Sequence, residues 1–171
     1  NTVNLTADSV ISGSSDLALT GQITGGAVTK TGAGLLAFTG NNTFAGGTSV
    51  LAGLLEFSSL ANLGSGQVTL DGGGLRWATG NTADVSSQLA PHGASGGTLD
   101  TNGNDVAFAT GLSGTGGLSK TGTGTLTFNA ANSYAGGTTV NAGTLALGAN
   151  HVLADAGAIT INSGIFSLGA F

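Results

Sequence analysis

Two segments of this chain repeat each other closely. Residues 30–57 read KTGAGLLAFTGNNTFAGGTSVLAGLLEF and residues 120–147 read KTGTGTLTFNAANSYAGGTTVNAGTLAL, and they are identical at 15 of 28 aligned positions. Glycines and every second apolar residue are retained, whereas the residues between the apolar ones differ. Because alternate side chains of a β-strand point to opposite faces, the retained residues are predicted to face a core and the variable ones solvent.

With one residue inserted, a weaker similarity extends the two copies to 30–77 and 120–168. Similar short phrases occur throughout the chain and end at Gly, Asn or Asp, and no stretch has the 3.6-residue period of a helix. We therefore predict one all-β segment over 1–171. Its predicted core ladder consists of alternate apolar residues of the two copies: Leu36, Phe38, Val50, Leu55, Phe57, Leu126, Phe128, Val140, Leu145 and Leu147.

The spacing of the apolar phrases favours a solenoid over a sandwich or a barrel. Apolar pairs recur at steps of 19, 20, 24 and 19 residues, beginning at Leu36, Leu55, Leu75, Leu99 and Leu118. Such a step is about the length of one β-solenoid coil. We predict a parallel β-helix of roughly eight coils, right-handed because crossovers between parallel strands almost always have that hand.

Glycine and asparagine are predicted to form the corners of the coils. The doublets Gly46-Gly47 and Gly136-Gly137 are expected where a Cβ would clash or where φ is positive. Asn42 and Asn132 tolerate the left-handed conformation, and they are expected to bond within their own turn or to stack in a ladder.

Charge and composition exclude several classes of function. Charged residues make up 6% of the chain, and three Lys/Arg against eight Asp/Glu give a net charge of −5. Nucleic acids and anionic membranes are therefore disfavoured as partners, because both require clustered cations. The absence of cysteine excludes a disulfide framework. Because the sequence starts without Met and stops inside a repeat-like phrase, we expect a fragment of a longer protein.

We find no constellation of residues for catalysis, and we predict neither an enzyme nor a cofactor nor a metal. His92 and His151 are interpreted as surface-loop residues, since no nucleophile motif accompanies them. The phrase Asp100–Asp105 is interpreted as a turn, with a weak calcium site as the alternative. Trp77 has the parity of the core residues, which favours a core position over a sugar-binding platform.

Two phrases, 120–128 (KTGTGTLTF) and 132–148 (NSYAGGTTVNAGTLALG), resemble the autotransporter-associated β-strand repeat, also called the passenger-associated transport repeat. Residues 30–57 carry the same pattern. The resemblance implies the β-helical passenger of a surface protein of a Gram-negative bacterium, secreted across the outer membrane. It also implies two partners, the protein's own C-terminal β-barrel and the rest of the passenger, and a role of the repeats in secretion and folding.

These observations leave two hypotheses for function. The first is a non-catalytic stem segment, similar to an autochaperone, that promotes folding and secretion and displays upstream regions. The alternative is an adhesive or self-associating module that contacts a host surface or another copy. For the alternative, the candidate lateral binding patch is Leu35, Leu51 and Leu54, which are apolar residues at outward positions of the first copy.

Overall fold

The computed structural model describes residues 2–153 and 157–169. Asn1, 154–156 and 170–171, which belong to the predicted segment 1–171, lie outside the described residues, and 154–156 also interrupt the predicted copy 120–168. The described part contains short β-strands, two 3₁₀ turns (Leu60–Leu63 and Ser86–Gln88) and no α-helix. It contains no helix that is long and apolar enough to span a membrane.

The strands are three or four residues long, because glycine, asparagine or serine soon ends each apolar phrase. They are β1 (Val3–Leu5), β2 (Ser9–Ile11), β3 (Leu17–Leu19), β4 (Ile23–Gly25), β5 (Val28–Lys30), β6 (Leu35–Phe38), β7 (Thr48–Val50), β8 (Leu54–Phe57), β9 (Val68–Leu70), β10 (Gly74–Trp77), β11 (Gly97–Asp100), β12 (Val106–Phe108), β13 (Leu118–Thr121), β14 (Thr125–Phe128), β15 (Thr138–Val140), β16 (Thr144–Leu147), β17 (Ile159–Ile161) and β18 (Ile165–Ser167).

Each coil of the solenoid contributes a first strand and a second strand, separated by a corner. The first strands of coils one to eight are β2, β5, β7, β9, β11, β13, β15 and β17, and the second strands are β3, β6, β8, β10, β12, β14, β16 and β18. β1 and β4 pair on a third face. Every strand pair is parallel, which confirms the predicted β-solenoid of about eight coils.

The core is a column of inward side chains that runs through the coils. Nine of the ten predicted ladder residues are buried, and Leu147 is half-buried. A run of aromatic rings continues the column, with centroid separations of 5.1 Å for Phe57 and Trp77 and 6.0 Å for Trp77 and Phe108. Inward residues of the end coils, such as Leu17 and Ile161, are 46% and 50% exposed. Burial therefore depends on a neighbouring coil on each side.

Equivalent strands of the two repeat copies lie on different faces of the rod. The eight-stranded sheet contains the second strands of coils one to four, and then the first strands of coils five to eight. The change occurs where β10 pairs with β11, so that Leu75 lies beside Leu99. The connection 78–96 is about twice as long as 58–67, the connection one coil earlier, and it carries the chain one face further around the rod.

One step of the predicted apolar spacing, from Leu99 to Leu118, is wrong. Leu118 does not follow Leu99, because it pairs with Gly97. The neighbour of Leu99 in the next coil is Lys120. The apolar spacing predicted the coil length, but it did not predict that a lysine occupies the ladder position beside Leu99 in coil six.

The glycine doublets allow neighbouring coils to approach closely. A Cβ at Gly136 would lie 2.2 Å from the backbone nitrogen of Gly117, and one at Gly46 would lie 2.6 Å from that of Ala27. Of the four predicted corner glycines, only Gly47 has a positive φ, at 88°. Close contact between backbones, more than the sharpness of the corner, therefore requires glycine at these positions.

Candidate functional site: buried polar side chains that join the coils

Both lysines of the chain lie in the core. Lys30 is 2% exposed and Lys120 is fully buried. Each occupies an inward position of a first strand, and Lys120 lies in register between Leu99 and Val140. The four methylene groups of each side chain therefore fill a ladder position that is apolar in the neighbouring coils.

The ammonium group of Lys120 reaches the corner between β13 and β14. Nζ donates hydrogen bonds to the carbonyls of Thr121 (2.7 Å) and Gly122 (2.8 Å) in its own coil. It also donates to the carbonyl of Ala142 (3.3 Å), which belongs to the following coil. Its three donors are thus matched by three backbone acceptors from two coils.

Lys30 makes the equivalent contacts in the first copy. Its Nζ donates to Gly32 O in its own coil and to Ala52 O in the following coil, both at 3.0 Å. A Cβ at Gly53 would lie 2.7 Å from this Nζ, and one at Gly143 would lie 3.0 Å from Nζ of Lys120. Each ammonium group therefore needs a glycine in the corner above it.

Burial changes the ionisation of both lysines. It lowers the pKa of Lys120 from 10.5 to about 8, although the negative charge of Asp100 partly opposes this shift. Burial also lowers the pKa of Lys30. Desolvation disfavours the charged form of an amine. The carbonyl acceptors of both lysines, and for Lys120 also the carboxylate of Asp100, offset part of that cost.

A buried asparagine joins three coils in each copy. Asn132 Oδ1 accepts the N–H of Leu112 in the preceding coil (2.7 Å), and its Nδ2 donates to Val152 O in the following coil. Neither Asn132 nor Asn42 adopts the left-handed conformation that the sequence suggested. The equivalent bonds of Asn42 are made with Ile23 N and Asn62 O.

Five aspartates brace the outside of the rod. Each is exposed or half-buried and accepts the backbone N–H of a residue in the following coil, so the bonds all point the same way along the rod. The pairs are Asp8 with Ala27, Asp16 with Leu35, Asp71 with Ser95, Asp84 with Ala109, and Asp105 with Thr125. Most carboxylates of the described part thus connect successive coils.

The two copies differ at one buried hydroxyl. Tyr134 Oη and Thr138 Oγ1 share a hydrogen bond of 2.5 Å in the second copy. The first copy has Phe44 in place of the tyrosine, and Thr48 Oγ1 has no hydrogen-bond partner among the described residues. The same threonine position is therefore satisfied in one copy and unsatisfied in the other.

The prediction that His92 is a surface residue is wrong. It is 2% exposed, its ring centroid lies 6.3 Å from that of Tyr134, and burial lowers its pKa. His151 is exposed, with φ of 56°.

Residues 101–104 form the turn after β11. Across 2–153 and 157–169 no three or more His, Asp or Glu side chains are grouped to hold a metal.

The residues of the candidate lateral binding patch lie on two neighbouring coils, at the start of β6 and at or just before the start of β8. Leu35 and Leu54 are half-buried partners on β6 and β8. Leu51, in the corner before β8, is 42% exposed. These three side chains give the first copy an apolar corner on coils two and three.

Sequence reasoning missed the lysines, because lysine is normally assigned to the surface. The signal was nevertheless present in the repeat. Lys30 follows Val28 by two residues and Lys120 follows Leu118 by two, so each lysine has inward parity. Each also opens the phrase Lys-Thr-Gly-x-Gly, which is retained in both copies.

Comparison with known proteins agrees with this geometry. The family profile of the passenger-associated transport repeat matches residues 28–57 and 118–147. The first match runs from β5 to β8 and the second from β13 to β16, so each spans two consecutive coils and contains one buried lysine and one buried asparagine.

A relative described as adhesin BmaC autotransporter, from Brucella suis biovar 1 (strain 1330), is 35% identical over 141 residues. The alignment covers 72% of this chain and 4% of that protein. No solved structure gives a significant match. These matches confirm the resemblance inferred from the sequence: the chain contains two passenger-associated transport repeats, each of which forms two coils of a parallel β-solenoid.

Proposed function

We propose that this chain is a non-catalytic stem segment of an autotransporter passenger, which promotes folding and secretion of the passenger and displays the regions upstream of it. The observation that carries the proposal is that the boundaries of each sequence repeat coincide with the strand boundaries of two consecutive coils of the structure. Each passenger-associated transport repeat forms a two-coil unit whose buried lysine and asparagine bond to the following coil.

On this proposal, folding proceeds by stacking of coils. A completed coil presents unpaired backbone N–H and C=O groups at its edge, and these groups can pair with the next segment that arrives. The outer aspartates and inner polar side chains add bonds across the same boundary. A rod that forms outside the cell in this way would hinder return of the chain through the outer membrane.

The proposal also assigns a cellular location and two partners to the segment. The segment would be exposed at the surface of a Gram-negative bacterium, with the protein's own C-terminal β-barrel and the rest of the passenger as its partners. The chain spans about 4% of the length of its adhesin relative, so most of such a protein would lie outside this segment.

Deletion of the segment in the producing bacterium tests this function. The codons for residues 2–169 are removed from the chromosomal gene, and the upstream passenger is assayed on intact cells by antibody labelling and by protease resistance. We expect the upstream region to be exposed but degraded, or to be retained in the periplasm. Undiminished exposure and protease resistance would contradict the proposed folding role.

A second candidate function is adhesion or self-association through the candidate lateral binding patch. The observation that favours it is the difference between the copies: Leu35, Leu51 and Leu54 are replaced in the second copy by polar residues on the same backbone. The name of the relative, an adhesin, is consistent with this candidate.

Exchange of the patch for its polar counterpart separates the two functions. The triple variant Leu35→Thr, Leu51→Asn, Leu54→Thr carries the residues of the second copy. Because these side chains are outside the core, we expect normal export and protease resistance. Loss of attachment to host cells or to sister cells would support the adhesive function, and unchanged attachment would contradict it.

A further inference from the structure

We propose that the buried lysine of each repeat is a register determinant: its ammonium group fits only when the Ala-Gly corner of the following coil lies directly over the lysine's own Lys-Thr-Gly-x-Gly corner. This inference concerns the pairing of coils, and it holds whether or not the repeats assist secretion. The residues are Lys30 with the corner at Ala52-Gly53, and Lys120 with the corner at Ala142-Gly143.

A lysine is an unfavourable choice if only core volume is required. In register with Lys120, the adjacent coils have Leu99 and Val140, and in register with Lys30 they have Ile11 and Val50. An apolar residue could therefore occupy the position without desolvation of a charge. Buried ionic groups that contribute little stability are best known as devices that select one register or partner.

The apolar pattern alone leaves a specific error open. A slip of one residue between parallel strands turns every inward side chain outward, so the core opposes it strongly. A slip of two residues keeps the inward residues inward. It would place Lys120 opposite Thr138 or Ala142 instead of Val140, and the core pattern would be only weakly affected.

The lysine corner discriminates against this two-residue slip. In the native register, one ammonium group meets carbonyls of both coils, and a glycine leaves the space that it occupies. After a slip of two, the corner above the ammonium no longer offers Gly143 and the carbonyl of Ala142 together. The ammonium of Lys120 would keep the carbonyls of Thr121 and Gly122 in its own coil, but it would lose its third acceptor and meet a side chain where Gly143 leaves space. Loss of a hydrogen-bond partner by a buried charged group is costly.

Engineered disulfides can measure the register directly, since the chain has no cysteine of its own. Ser119 and Thr139 are register partners with outward side chains, so the pair Ser119→Cys/Thr139→Cys reports the native register. The pair Thr121→Cys/Thr139→Cys reports a slip of two. Each pair is introduced into the whole chain with Lys120 or with Lys120→Met, and the protein is refolded in a glutathione buffer.

With Lys120 we expect nearly all of the native-register pair, and little of the slipped pair, to form a disulfide. In Lys120→Met we expect the slipped disulfide to increase roughly tenfold, because no buried ammonium then loses the Ala142 carbonyl and the space at Gly143. Leu99→Met is the matched control, since it places Met at the neighbouring ladder position and keeps the lysine. It should leave the slipped fraction unchanged.

An equal slipped fraction with and without the Lys120→Met substitution would overturn the proposal. If Lys120→Met does not fold, the same measurement is made in the first copy with Lys30→Met. Its reporters are Thr29→Cys/Ser49→Cys for the native register and Thr31→Cys/Ser49→Cys for the slip. Failure of the segment to assist secretion would leave both disulfide results unchanged, so the two proposals are tested separately.

Discussion

The two repeat copies have nearly the same interior and different exteriors. In both, a lysine and an asparagine are buried at equivalent positions and bond to the following coil. At outward positions the first copy has Leu35 and Leu51, where the second has Thr125 and Asn141. Equivalent strands of the copies also lie one face apart, because β10, the second strand of coil four, pairs with β11, the first strand of coil five.

This comparison separates the residues that determine how coils stack from the residues that form the surface of the rod. Inward residues, corner glycines and buried polar side chains are retained because they determine how one coil stacks on the next. Outward residues have changed without altering the backbone. Equivalent strands of the copies lie on different faces, yet both copies pack in the same way. The residues within a two-coil unit therefore determine its packing, whichever face each strand occupies.

The largest effect is expected from a charge at an inward position. Leu126→Asp removes a fully buried side chain and replaces it with a carboxylate that has no partner. We expect a loss of more than about 5 kcal/mol, enough to unfold the coil, and the same result for Leu36→Asp in the first copy. Urea denaturation followed by far-UV circular dichroism measures both. Thr127→Asp, at a half-buried outward position, should change stability by less than about 0.5 kcal/mol.

A bulky residue at a glycine doublet should have the next largest effect. Gly136→Val places a side chain within 2.2 Å of the Gly117 nitrogen, and we expect a loss of about 4 kcal/mol. Gly46→Val should behave alike in the first copy. Gly80→Ala is the control, since no atom lies within 4 Å of the added Cβ and only its φ of 81° opposes the change. Full native β-content in Gly136→Val would show that the coils are not in close contact there.

The buried lysine predicts a pH dependence of the free energy of unfolding. The pKa of Lys120 is about 8 in the folded protein and 10.5 when unperturbed, so the unfolded chain binds more protons between these values. Stability should therefore rise as pH increases from about 8 to about 10.5, by at most roughly 3 kcal/mol. The difference between wild type and Lys120→Met in urea titrations at each pH isolates this contribution. A difference that stays constant with pH would mean that Lys120 titrates normally.

The smallest effect is expected when the tyrosine hydroxyl that differs between the copies is removed from one copy or added to the other. Tyr134→Phe leaves Thr138 Oγ1 without its partner and should cost about 1 kcal/mol. Phe44→Tyr supplies a partner for Thr48 Oγ1 and should stabilise by a similar amount. Thermal denaturation of the two variants should give shifts of opposite sign. Shifts of the same sign would mean that the surroundings of Thr48 and Thr138 are not packed alike.

Much of the fold could be predicted from the sequence, because the parity of a strand is a local property. Alternation in phrases such as Thr125-Leu126-Thr127-Phe128 is enough to assign inward and outward residues. Repetition at about 20 residues is enough to predict stacked coils. Leu147 is the one predicted ladder residue that is only half-buried: unlike Leu145, it has no register partner on β18, which ends at Ser167.

The rest could not be predicted, because it depends on contacts between distant residues. The apolar spacing placed Leu99 after Leu75, but nothing in β10 or β11 alone specifies that this pairing joins a second strand to a first strand. The rotation coincides with the long connection 78–96. Burial of His92 follows from the same connection, which brings it into the core beside Tyr134. The lysines were missed because their acceptors are backbone carbonyls, which carry no signature in the sequence.

Nuclear magnetic resonance of the chain, whose mass is 16.2 kDa, tests the central claim most directly. The claim is that the two copies form the same two-coil unit, with equivalent strands on different faces of one rod. The decisive signals are backbone nuclear Overhauser effects between neighbouring parallel strands. We predict contacts of Arg76 with Asp100, its register partner on β11. Contacts of Arg76 with Ala107 on β12 would instead place the second strands of coils four and five in one sheet, and would contradict the rotation.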